Sequence, residues 1–247
     1  MLFHSNRERF STVSRHIRFF PGNVPCLEES MKHQAVIFDV DGTLLDSLED
    51  LADSMDVVLR QNDFPVHSLD RYKYFVGNGM ENLVRRALPE ERRGDEALVA
   101  ECFDRMREEY AERWNAKTRP YEGIPELLDA LAGLNVRMSV LSNKPHDFTR
   151  KVVGELLGRW RFDYVFGERL SVPRKPDPAA ALEIAGLSGI SPGRFLYLGD
   201  TATDMRTATA AGMFAVGALW GFRMADELLS AGAMALIRNP LELLPLL

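Results

Sequence analysis

The chain predicts an α/β fold, a doubly wound parallel sheet in three layers with a small all-helical segment inserted after the first strand. Three observations carry this expectation. Short apolar runs with the length of buried strands alternate with helix-patterned stretches, the rhythm of a parallel sheet covered on both faces. The runs end in polar clusters that read as loops at one edge of that sheet. Residues 47–117 break the rhythm with helical patterns only, far more chain than the roughly 2–6 residues of an ordinary strand-to-helix connection.

Ala35-Val36-Ile37-Phe38 is the first strand, an uninterrupted apolar run. Ser47-Leu48-Glu49-Asp50 then has capping-box spacing, with Asp50 in the place of the usual Glu or Gln. Leu48, Leu51, Ala52, Met55, Val58 and Leu59 form one apolar stripe of a helix behind it. Gly77-Asn78-Gly79 precedes a second helix with Leu83, Val84 and Leu88, and a third runs from about Asp95 to Trp114 with Leu98, Cys102, Phe103, Met106 and Tyr110 inward. Glu126 to Ala132 is a helix closed by Gly133. Val136 to Leu141 alternates like a strand, and Phe162–Phe166, Phe195–Leu198 and Met213–Ala218 are further strands. Ala179 to Ala185 and Met205 to Ala211 read as helices, and Leu241 to Leu247 as a short terminal one. The expected organisation is an extension over 1–30, a core of 31–46 and 118–247, and a helical cap of 47–117. Between Asn143 and Lys175 only one strand-helix unit fits, which leaves no room for a second cap.

Composition narrows the function classes. Of 247 residues 46% are apolar, enough for a full core, and the formal charge of −6 argues against nucleic acid, whose backbone needs a basic surface. No run of about 18 apolar residues exists, so a membrane span is not expected. Cys26 and Cys102 form no paired spacing, which suits a reducing, cytoplasmic setting and no thiolate metal site. Met1 to Ser30, with Arg7, Arg9, Arg15 and Arg18, lacks the apolar stretch of a secretory signal. It reads as a flexible extension with Met31 as the natural start, a targeting segment or binding arm being the alternative. Monomer and homodimer are both compatible with the sequence.

Carboxylates gather at two strand exits. Asp39-Val40-Asp41-Gly42-Thr43-Leu44-Leu45-Asp46-Ser47 follows the first strand, and strand alternation points Asp39 and Asp41 the same way. Gly42 permits a tight turn with its backbone close to a ligand. Two converging carboxylates at a buried edge are costly unless a cation or a catalytic task holds them, the alternative being a solvated acidic loop. Ser142-Asn143-Lys144-Pro145 offers a hydroxyl and an amide to anionic oxygens without adding charge, though the same pair serves in plain turns. Lys175, in Arg174-Lys175-Pro176-Asp177-Pro178, is a loop cation or a point charge against an anion. Gly199-Asp200-Thr201-Ala202-Thr203-Asp204 brings two more carboxylates, with helix capping the competing role of Asp204. In the helical segment, Gly77-Asn78-Gly79 is either a turn or a loop facing a ligand, and Lys73, Arg85 and Arg86 are best read as a solvated helix face.

In that order, across residues 35 to 240, these clusters resemble the four motifs of the haloacid dehalogenase superfamily, and the first two look most like its phosphoglycolate phosphatase branch. The resemblance implies a Rossmann-like core, a cap that closes over the site, and a Mg²⁺-dependent phosphatase acting on a small phosphorylated metabolite, 2-phosphoglycolate foremost. It implies Asp39 as nucleophile forming an aspartyl-phosphate and Asp41 as the acid that protonates the leaving group and then accepts the proton of water. Ser142 and Lys175 would hold the phosphoryl oxygens, with Gly42, Asn143, Gly77, Asn78 and Gly79 around the substrate. Asp39, the main-chain carbonyl of Asp41 and Asp200 would take the metal, and Asp204 would support Asp200 from behind. Dehalogenase members lack an acid at the position of Asp41, which favours phosphate chemistry here. Pyrophosphate, sugar phosphates, nucleotides, a phosphoglucomutase-like reaction and a catalytically silent binding protein stay open. Ser142 stands where Thr is common and Thr201 where Ser is common, each keeping a hydroxyl.

Overall fold

A computed structural model describes residues 32–247, so expectations for the first thirty residues lie outside the described part. Strand β1 (Ala35–Phe38) is the centre of a six-stranded sheet. Its partners are β4 (Arg137–Pro145), β5 (Tyr164–Glu168), β6 (Phe195–Gly199), β7 (Phe214–Ala218) and β8 (Ala235–Ile237), in the order β5-β4-β1-β6-β7-β8. Every pairing is parallel. Along β1, Ala35 and Ile37 face a core with Ala181 and Ile184 of α7 (Ala179–Ser188), Ala208 of α8 (Ala202–Ala210) and Leu228 of α9 (Ala225–Ser230). Val36 and Phe38 face the opposite core with Leu128 and Leu131 of α5 (Ile124–Gly133) and Phe148 and Val152 of α6 (His146–Leu156). Burial on both faces is why these strands read as continuous apolar runs.

The inserted segment is helical, as its patterns predict, with four helices where three are legible. They are α1 (Leu48–Gln61), α2 (Leu69–Phe75), α3 (Met80–Ala87) and α4 (Glu96–Arg113). The unread one, α2, has seven residues with only Tyr72 and Phe75 buried, too short for a periodic signal. A two-stranded antiparallel ribbon, β2 (Leu45–Asp46) with β3 (Arg119–Pro120), brackets the insert. The predicted stripe of α1 is buried throughout. The insert packs into the same continuous core as one sheet face, and the described residues form one compact unit.

Two local expectations need correction. The Ser47-to-Asp50 capping box does not form: Ser47 makes no cap hydrogen bond, and its hydroxyl donates to Asp41 Oδ1 at 2.6 Å. Asp50 is buried instead, accepting from Lys117 N–H at 3.0 Å, Thr118 N–H at 2.8 Å and the Thr118 hydroxyl at 2.7 Å. It therefore stitches the start of the insert to its return. Gly133 does not close α5; the chain leaves the helix through Asn135 in the left-handed region, φ 57°. A further tie joins insert to core at α2. Arg223 donates to the carbonyls of Lys73 and, at 3.1 Å, Val76, its guanidinium 5.0 Å from the Tyr74 ring, while Arg86 donates to Tyr74 O at 2.9 Å.

Because Asp50 satisfies three donors, two of them on buried Thr118, Asp50→Ala should lower stability by about 2–4 kcal/mol. Urea unfolding should show the loss in the midpoint, with the insert's amide exchange rising first around Lys117 and Thr118.

Candidate active site

The chain reverses its direction of sheet growth between β1 and β6: β4 and β5 extend one side, β6, β7 and β8 the other. Open α/β sheets bind ligands at the carboxyl ends of the strands at such a switch point. Phe38 pairs with Leu198, so Asp39 and Asp200 leave the sheet beside one another. Oxygens of Asp39, Asp200 and Asp204 lie within 4.8 Å of each other, and all three residues are buried.

One ammonium pairs with two of these three carboxylates. Lys175 Nζ lies 3.0 Å from Asp39 Oδ1 and 2.7 Å from Asp204 Oδ1, and donates to Leu141 O at 3.0 Å. Asp204 is fully used by the protein, since its Oδ2 accepts from Thr201 N–H at 3.1 Å and the Thr201 hydroxyl at 2.6 Å in the capping box of α8. Asp200 accepts from the Thr43 hydroxyl at 3.0 Å and Phe222 N–H at 2.8 Å, one donor on each oxygen. Asp39 Oδ1 takes Val40 N–H at 2.7 Å as well as Lys175, which leaves Oδ2 without a protein donor among the described residues.

The imbalance shows in protonation. Burial pushes Asp39 up to about 6, with Lys175 pulling the other way. Asp200 is held well above the ordinary carboxylate range by burial and then by the charges of Asp204 and Asp39. Burial opposes the charge of Lys175, yet Asp204 and Asp39 keep it protonated far beyond its usual value. Glycine lets this cluster close up. A Cβ on Gly42, whose φ is +85°, would stand 2.3 Å from Asp200 Oδ2, and one on Gly221 would stand 2.3 Å from Asp200 Cβ. An all-oxygen set with surplus negative charge and spare lone pairs on Asp39 and Asp200 fits a hard divalent cation such as Mg²⁺.

In front of Asp39 lies a small cavity, offering about 30 Å³ to the centre of a water molecule. Asp39, Asp41, Ser142, Asn143, Gly77 and Gly79 line it among the expected residues. Asp41 is paired with Lys144, whose Nζ lies 2.9 and 3.0 Å from its two oxygens. Ser142 Oγ accepts Lys144 N–H at 3.3 Å, keeping its own proton to donate. Asn143 acts as a staple: its amide donates to Gly77 O at 3.2 Å and Lys175 O at 3.0 Å and accepts Lys175 N–H at 3.0 Å. Asn78 stands apart from the cavity lining, its side-chain oxygen accepting from the Thr203 hydroxyl at 2.8 Å. Arg85 and Lys73 are paired with Glu96, Glu81 and Asp70, as solvated faces would be.

Several residues at the site were not singled out from sequence. Thr43, Phe222 and Gly221 shape Asp200, and nothing in their local pattern signals it, because the loop after β7 meets the first motif only through the fold. Lys144 had a signal, a lysine beside Ser142-Asn143, but no periodicity assigns it a direction.

Residues 36–218 match the haloacid dehalogenase-like hydrolase family. The chain belongs to this family. It is 35% identical over 212 residues to the phosphoglycolate phosphatase of Pseudomonas putida (strain KT2440), covering 83% of this chain and 73% of that one. It is 33% identical over 232 residues to the phosphoglycolate phosphatase of Pseudomonas syringae pv. tomato, covering 92% and 82%. A solved structure from Lactobacillus delbrueckii subsp. bulgaricus aligns with a TM-score of 0.78 at 30% identity, over 86% of this chain and 97% of that one. No helix among the described residues of this hydrolase is long and apolar enough to cross a membrane.

The charge surplus makes two linked predictions. A folded-state pKa raised at Asp39 means that the native state binds the extra proton between about 4 and about 6, so stability falls as pH rises through that window in metal-free protein. Asp39→Asn should therefore gain on wild type by up to about 3 kcal/mol as pH rises past 6 in chelator, read by denaturant melts. Mg²⁺ should reverse the trend for wild type, adding about 2.7 kcal/mol at a hundredfold excess over Kd, and should do nothing for Asp200→Ala.

Proposed function

We propose that this hydrolase is a Mg²⁺-dependent phosphomonoester phosphatase working through an aspartyl-phosphate, with 2-phosphoglycolate as substrate. The observation that carries the reading is the division of labour between two neighbouring carboxylates: Asp39 sits against Lys175 with one oxygen unbonded by the described residues, while Asp41, two residues on, lines the same cavity on Ser47 and Lys144. Relatives named phosphoglycolate phosphatase, matched over most of the chain, support the substrate.

In this reading Asp39 Oδ2 attacks phosphorus as the ester P–O bond breaks, and Asp41 gives its proton to the departing alkoxide. Water then attacks phosphorus in the acyl phosphate, Asp41 takes its proton, and inorganic phosphate leaves with Asp39 restored. Lys175 balances the charge of Asp39, and the Ser142 hydroxyl donates to a phosphoryl oxygen. Mg²⁺, held by Asp39, Asp200 and the carbonyl of Asp41, would screen the repulsion between carboxylate and phosphate. Asp204 is a positioning residue, fixing Lys175 and the start of α8. Helices α1–α4 would serve as the cap. Leu51, Met80 and Leu83 close the cavity from their side, which excludes water from the reacting phosphorus.

The test is phosphate release from 2-phosphoglycolate and from a panel of sugar phosphates, nucleotides and pyrophosphate, ranked by kcat/KM. Release should need a divalent cation, vanish in Asp39→Asn, and fall about 10²–10⁴-fold in Asp41→Asn. Equal turnover of wild type and Asp39→Asn would refute the mechanism, and a better ester on the panel would refute the substrate.

A further inference from the structure

We propose that Lys144 is the residue that recognises the carboxylate of the substrate's leaving group, a specificity role that rests on the 2-phosphoglycolate reading above. Among the described residues lining the cavity, Lys144 is the one cation. The lining that the insert contributes is uncharged, made by Leu51, Val76, Met80 and Leu83 with Gly77 and Gly79. A leaving group with a negative charge must meet a counter-charge in so enclosed a space, and only this side chain supplies one from the lining.

Its position suits the task. Nζ rests 2.9 and 3.0 Å from the oxygens of Asp41, the group placed at the ester oxygen, and 4.5 Å from the centroid of the Tyr110 ring. In glycolate the carboxylate carbon is two bonds from that ester oxygen, so its oxygens fall within about 4 Å of the atom that Asp41 protonates. A cation in contact with Asp41 is thus within reach of both. The side chain is 2% exposed, and α4 supplies the Tyr110 face beneath it, so the ammonium is held in place before any ligand enters. Esters of neutral alcohols of equal length offer the ammonium no second carboxylate beside Asp41.

The experiment compares 2-phosphoglycolate with 2-hydroxyethyl phosphate, the neutral analogue of equal length, in wild type, K144M and K144R. Wild type should prefer the carboxylate ester. K144M should lose about 10- to 100-fold of that preference in kcat/KM, the worth of a charged hydrogen bond, and K144R should retain part of it. Inhibition by the product glycolate, followed with p-nitrophenyl phosphate as reporter, should weaken in K144M by a similar factor, with thermal melts confirming that each variant is folded. Should K144M unfold, K144Q replaces it in the same comparison. A variant that loses activity equally on both esters while keeping the wild-type preference overturns the inference, because Lys144 then acts only through Asp41, and it leaves the phosphatase reading intact. A wild type without preference for the carboxylate ester removes the 2-phosphoglycolate reading itself, and this inference with it.

Discussion

The site is organised around a charge that the protein does not balance by itself. Asp39, Asp200 and Asp204 converge on one point, and the one buried ammonium beside them, that of Lys175, pairs with Asp39 and Asp204. Burying carboxylates costs several kcal/mol each unless partners or a cation answer them. Every nearby feature reduces that cost or exploits it. Thr43, Phe222 N–H and Thr201 donate to two of the three carboxylates, and the close approach at Gly42 and Gly221 excludes anything bulkier than hydrogen from Asp200. What is left over is concentrated on Asp39, whose raised protonation and unbonded oxygen suit a group that is ionised by its ligand rather than by its surroundings.

The fold makes this concentration possible. Four carboxylates arrive after two strands, Asp204 on the first turn of α8, because β1 and β6 are neighbours at the point where the sheet changes its direction of growth. The backbone of β1 is bonded on both sides, so Asp39 is set by a strand that has no freedom to shift. Ties from the insert then converge on the same place: Gly77 O on Asn143, Asn78 on Thr203, and the carbonyls of α2 on Arg223. The two faces of the cavity therefore come from the insert and the core, and they are joined by hydrogen bonds such as that from Asn143 to Gly77 O, sixty-six residues apart in the chain. In this light Asn78, expected near the substrate, holds the insert to the core.

Much of this was legible in the sequence, for a physical reason. Buried parallel strands leave apolar runs, so Ala35 to Phe38 and Phe195 to Leu198 were found within a residue, and the stripe of α1 from Leu48 to Leu59 needed only a period of 3.6. The carboxylates were visible because acids at strand exits are unusual without a purpose. What escaped depends on long-range geometry. Ser47 and Asp50 have the spacing of a capping box, but tertiary partners, Asp41 for one and Thr118 for the other, outbid the local bond. Likewise α2 is too short to show a period, Gly133 resembles a helix stop that Asn135 provides, and Lys144 acquires direction only once Asp41 and Tyr110 flank it.

The central claim is that phosphorus passes through the side chain of Asp39. Rapid acid quench during turnover, borohydride reduction and peptide mass spectrometry test it most directly, since reduction of an acyl phosphate converts the aspartate to homoserine. The account predicts homoserine at position 39 and at no other carboxylate of the site. Homoserine at Asp41, Asp200 or Asp204, or undiminished phosphate release from Asp39→Ala, would contradict it.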